Sequence, residues 1–112
     1  MASTAIAQNA PIDFEAGGQG ADWTWTVFEN ADNPPVEIVS NPDASGANTS
    51  ATVAKITARM TGNPWCGTES MHGADIGEFA LTPSNSLVKI MVYKTTISDV
   101  GIKLVNAGGG AL

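Results

Sequence analysis

Three tryptophans, one tyrosine and a set of carboxylates carry most of the chemistry this sequence offers. Trp23 and Trp25 lie two residues apart, so on a strand both indoles leave the same face, about 6.6 Å apart. Flat indoles at that spacing can stack on sugar rings, but their large apolar area suits a core equally well. Trp65 sits between Pro64 and the small pair Cys66-Gly67. It fits either a ligand platform or a plug at one end of a β-sandwich. Tyr93 alternates in step with Lys89 and Met91 on the more polar side of its segment. A partly exposed phenol there suits contact with a glycan or a protein.

Asp13, Glu15, Asp75 and Glu78 invite comparison with the acid pair of a glycosidase, which needs two carboxyls at a set separation and one raised pKa. In a chain with eleven acidic residues a solvated surface is the simpler account. His72 has only Ser70 close by in sequence, and a Ser-x-His spacing has no mechanistic meaning. Cys66 lacks a CxxC partner or a neighbouring cation, and it reads as a small buried apolar residue. One Cys and one His leave no basis for a zinc site. No catalytic constellation emerges, so the expectation is a non-catalytic protein without a catalytic cofactor.

The elements that must position these residues show a two-residue period. Over 23–28, Trp23, Trp25 and Val27 share one face, and Thr24, Thr26 and Phe28 share the other. Over 52–60, Ala54, Ile56, Ala58 and Met60 alternate with Lys55, Thr57 and Arg59, which predicts a half-buried strand. The runs 88–93 and 100–105 alternate in the same way, and 36–39 and 78–81 are shorter candidates. Clusters at 31–35, 41–50, 61–64 and 82–85, rich in Gly, Pro, Asn and Ser, are turn and loop chemistry. About six or seven strands at this spacing predict an all-β, antiparallel β-sandwich or jelly roll. The expected organisation is an N-terminal arm over 1–10, a β-sandwich domain over 11–106 and a flexible tail over 107–112.

The chain has 112 residues and a formal charge of -6, which fits one domain with a modest core. Its five basic residues are scattered singly, so phosphate backbones and anionic lipid surfaces are unsuitable partners. No apolar run approaches the roughly 18 residues of a membrane span, so no membrane insertion is expected. The opening MASTAIAQNA has neither a basic start nor an apolar core, which leaves it short of a complete signal peptide, although Ala5-Ile6-Ala7 before Gln8 resembles the small-x-small end of one. Asn48-Thr49-Ser50 satisfies the glycosylation rule, and without an export signal it is expected to stay unmodified.

Pro11-Ile12-Asp13-Phe14-Glu15, Asn41-Pro42, Ser45-Gly46-x-Asn48-Thr49-Ser50-x-x-Val53, Trp65-x-Gly67, Met91-Val92-Tyr93 and Lys103-Leu104 follow one another in a telling order. That order resembles the carbohydrate-binding-module-like jelly-roll (galactose-binding-like) domains that accompany polysaccharide-degrading enzymes of aquatic bacteria. Similar domains occur in structural proteins of aquatic phages. The likeness spans roughly residues 11–106, and the order of its motifs is more specific than any one of them. Cys66 stands where such domains more often carry Ala. The resemblance implies a structural calcium near the first strand, held by Asp13 and Glu15 with loop carbonyls. It also implies several strands beyond residues 103–106, so the expectation is either a longer protein or an incomplete sandwich whose missing edge a neighbouring subunit supplies through strand addition.

Two functions follow from these readings. The first is assembly: a virion surface protein, decorating a capsid or tail, that associates with itself or with another structural subunit. The second is recognition of a polysaccharide, extracellularly or at a surface, with Trp23, Trp25, Trp65 and Tyr93 as the stacking residues.

Overall fold

The computed structural model describes residues 11–28, 33–71, 75–76, 81–106, 108 and 110. Among them the chain is all-β, with four antiparallel strands and no helix. The strands are β1 (Trp25–Phe28), β2 (Glu37–Ser40), β3 (Thr52–Lys55) and β4 (Gly67–Ser70). They form two two-stranded sheets, β1 with β4 and β2 with β3, so the inner pair is nested within the outer pair along the chain.

Local chemistry explains where these strands stop. The β2·β3 ladder runs from Glu37 opposite Lys55 to Ser40 opposite Thr52. It is closed on one side by Pro34-Pro35 and on the other by Pro42, none of which can donate a backbone N–H. The strand expected over 52–60 therefore ends at Lys55, and Arg59 instead gives its N–H to the side-chain oxygen of buried Asn33 at 3.1 Å. The strand expected over 23–28 begins at Trp25. Trp23 N–H turns back to the Gly20 carbonyl and Thr24 N–H goes to the Asp75 carboxylate at 3.0 Å, so neither donor is left for a ladder.

β4, Gly-Thr-Glu-Ser, carries no apolar alternation and was not expected as a strand. Its register places Gly67 opposite Phe28, and a Cβ on Gly67 would come within 2.5 Å of the Phe28 ring. Glycine thus lets the ring lie across the partner strand. Gly67→Ala should lower stability by about 1–3 kcal/mol through this overlap, read as a shift in the urea midpoint. An unchanged midpoint would show that the ring is not seated there.

The loop at 41–51 joining β2 to β3 is held by one asparagine. Asn41 Nδ2 donates to the carbonyls of Asn48 and Ser50 at 2.9 and 2.8 Å, and its backbone N–H donates to Ala51 O. Asn48 Oδ1 in turn accepts the Ser50 N–H. At 82–85, Thr82 and Asn85 exchange backbone hydrogen bonds around Pro83-Ser84, a tight turn with Pro at its second position.

The runs 88–93 and 100–105 correct the sequence expectation. Neither forms a strand among the described residues; residues 86–104 are exposed throughout and bend at Thr95-Thr96. Alternation reports which face a strand would bury, whereas a strand needs a hydrogen-bonded partner. Tyr93, Met91 and Lys89 therefore share no sheet face. The short expectation at 78–81 lies outside the described residues except for Leu81, as do the arm over 1–10 and most of the tail. No described hydrophobic side chain is fully buried.

Candidate functional site

The turn at 12–20 carries Asp13 and Glu15 and sets Phe14 against Trp25. Phe14 adopts φ 57°, a conformation that L side chains rarely take, while its N–H donates to Gln19 O at 2.9 Å. This turn places the Phe14 ring 5.7 Å from the ring of Trp25, tilted by 47°. Trp23 stacks on Trp25 at 5.8 Å with 29° between the planes, so the two indoles do leave the same side. Trp25 donates its indole N–H to the carbonyl of Gly20 at 2.8 Å, which satisfies its polar edge. Phe14, Trp23 and Trp25 are each half-buried. The indoles meet each other more than they line up as a flat platform, and Trp25 has aromatic neighbours in both Trp23 and Phe14.

The carboxylates of the same turn are directed at backbone donors. Asp13 Oδ1 accepts the N–H groups of Glu15 at 3.1 Å and Gln19 at 3.0 Å. These bonds, with Glu15 first, hold the Asp13 carboxyl below its ordinary pKa. A general acid needs the opposite shift. Glu15 reaches across to β3: its Oε1 accepts the N–H groups of Ala51 and of Thr52, the latter at 3.2 Å, and its Oε2 faces the Thr52 hydroxyl at 3.0 Å. That hydroxyl lies 2.6 Å from the carbonyl of Phe14 and donates to it. Through Phe14 and Glu15 one turn contacts both sheets, Trp25 of β1 and Thr52 of β3.

Calcium takes six to eight oxygens. The oxygens that converge here are the Phe14 carbonyl, Glu15 Oε2 and Thr52 Oγ1, while Asp13 Oδ1 is turned into its own loop. The two carboxylates also fasten backbone N–H groups. No group of three or more His, Cys, Asp or Glu residues that could hold a metal occurs among the described residues.

Asp75 has a comparable place, its Oδ2 accepting N–H groups from Thr24 at 3.0 Å and Met71 at 3.4 Å. It ties the entry of β1 to the exit of β4. Glu78 and His72 lie outside the described residues. Trp65 is 57% exposed in the loop before β4, and Tyr93 is 61% exposed on the extended segment. The aromatic candidates therefore fall into an anchored pair, Trp23 and Trp25, and two exposed residues, Trp65 and Tyr93. Cys66 is a half-buried free thiol. Sequence reasoning did not single out Phe14, Gly20 and Thr52 as partners in this site, although the Asp-Phe-Glu motif marked its position.

Acid pH should loosen both carboxylate-held loops. Asp43 is also held below its ordinary pKa, chiefly by the Ser45 hydroxyl at 2.7 Å and then by the Ser45 N–H. A depressed folded pKa gives stability that is complete above the unfolded value of about 3.9 and is lost as pH falls through the lower folded value. Carboxyl carbon NMR titration should place Asp13 and Asp43 below the ordinary aspartate value. An upward shift at either would show that its N–H contacts do not persist in solution.

Among the described residues no helix is long and apolar enough to cross a membrane. The chain matches no protein-family model, no curated protein and no solved structure.

Proposed function

We propose that this chain is a non-catalytic structural β-sandwich protein of jelly-roll type that works by assembly, at a virion surface as a capsid or tail decoration. The observation that carries the assembly reading is the run of exposed apolar residues between Leu87 and Leu104, together with two two-stranded sheets that gain no further strand among the described residues. Exposed apolar area of this extent marks an interaction surface, and unpaired strand edges accept further strands. The nested pairing of β1·β4 around β2·β3 supports the jelly-roll form, in which successive hairpins wrap in this order. The virion setting rests on the resemblance of the motif order to phage structural domains.

A second reading, polysaccharide recognition, is favoured by the exposed rings of Trp65 and Tyr93. In that case the protein is extracellular and its sugars stack on these two residues. Sizing the purified chain with and without a panel of polysaccharides separates the two. A stable oligomer indifferent to every glycan is expected. A monomer retarded by one glycan would reverse the order of the readings.

A further inference from the structure

The segment at 86–104 differs from the rest of the chain in exposure, pairing and charge. All of its residues are exposed, and among the described residues no backbone hydrogen bond joins it to β1, β2, β3 or β4. It bends near Thr95-Thr96, where Lys94 Nζ reaches the Ser98 carbonyl at 3.2 Å and the Ser98 hydroxyl. The bend separates two alternating runs. In one, Val88, Ile90 and Val92 alternate with Lys89, Met91 and Tyr93; in the other, Val100, Ile102 and Leu104 alternate with Gly101 and Lys103.

Charge divides at the same place. The chain holds five basic and eleven acidic residues, and residues 86–112 contain three of the basic ones (Lys89, Lys94, Lys103) and one acid, Asp99. Residues 1–85 are left with two basic and ten acidic residues, so a segment of net charge +2 follows a body of net charge -8.

Resting on the assembly reading, we propose that residues 87–104 are a basic docking arm whose runs 87–93 and 100–104 add as strands to the open sheet edges of a second copy's acidic body. A second copy carries both complements the arm needs, sheet edges with no further strand among the described residues and a net negative body. Reciprocal exchange lets each arm satisfy the other copy's edges, giving a closed two-fold dimer. In that pairing Val88, Ile90 and Val92 leave solvent together, and Lys89 and Lys103 meet acidic surface.

Sedimentation equilibrium of the full chain and of the Lys89→Glu/Lys103→Glu variant tests the arm. All three tryptophans lie outside it, so their emission reports independently that the body is intact. The expected result is a wild-type dimer, a dissociation constant raised roughly tenfold or more in the variant, and unchanged tryptophan emission. Carbodiimide cross-linking of mixed unlabelled and nitrogen-15-labelled chains should join arm lysines to body carboxylates of the opposite label. An oligomer that neither responds to the variant nor yields mixed-label arm cross-links overturns the arm and leaves the assembly reading standing. A monomer at every concentration overturns both, and same-label cross-links in it would show the arm folded on its own body.

Discussion

Gly20→Ala should cost about 2–4 kcal/mol of stability, by forcing a strained backbone and an overlap at one position. Gly20 is buried at φ 100°, a conformation that L side chains rarely adopt. A Cβ there would lie 2.7 Å from Ile12 Cγ2 and 2.9 Å from two carbons of the Phe14 ring. Phe14 cannot retreat freely, because its ring meets Trp25 and its carbonyl accepts the Thr52 hydroxyl. The Gly20 carbonyl also receives the Trp25 indole N–H, so a backbone shift would disturb the aromatic cluster as well. Gly17→Ala is the matched control: φ is 76°, and nothing lies within 4 Å of the added Cβ. Its cost should be that of the backbone alone, about 1 kcal/mol. Urea denaturation followed by tryptophan emission reads both variants. Equal losses would mean that the overlap with Ile12 and Phe14 plays no part.

Particular residues show how far the sequence could be read. Trp23 and Trp25 were legible as a same-face pair, because a period of two is a property of any extended backbone, and the rings do stack. The all-β, antiparallel character was legible from the same period. Strand ends were not, since they depend on which donors are diverted. Thr24 gives its N–H to Asp75, which is 51 residues away, and no local pattern announces that. β4 was invisible because Gly67, Thr68, Glu69 and Ser70 form a strand by pairing with β1, not by apolar alternation. The runs at 88–93 and 100–104 show the converse, with strong alternation and no partner strand among the described residues. Asp13 and Glu15 were singled out as acids, yet their geometry shows them as acceptors for backbone N–H groups, a role that residue type cannot distinguish from surface solvation.

Glu15→Ala should have the second large effect, a loss of about 2–3 kcal/mol, because it strands backbone donors at the start of β3. The Glu15 carboxylate receives the N–H groups of Ala51 and Thr52 and faces the Thr52 hydroxyl. Hydrogen bonds to an ionised acceptor are stronger than neutral ones, and this one joins the 12–20 turn to the far sheet. Glu15→Gln retains one carbonyl acceptor and the side-chain length, so it should fall between wild type and Glu15→Ala. The contrast is Glu37→Ala at the opposite end of the same ladder. Glu37 bonds Lys55 at 2.7 Å, but both side chains are about half exposed, so their pair is worth at most about 1 kcal/mol and should weaken with salt. Amide hydrogen exchange distinguishes the two roles directly. Glu15→Ala should speed exchange at Ala51 and Thr52, whereas Glu37→Ala should leave both amides as they were. If the two variants lost equal stability and neither changed exchange at those amides, Glu15 would be an ordinary surface acid and the turn would be held by the Asp13 carboxylate, the Phe14 carbonyl and its aromatic contacts.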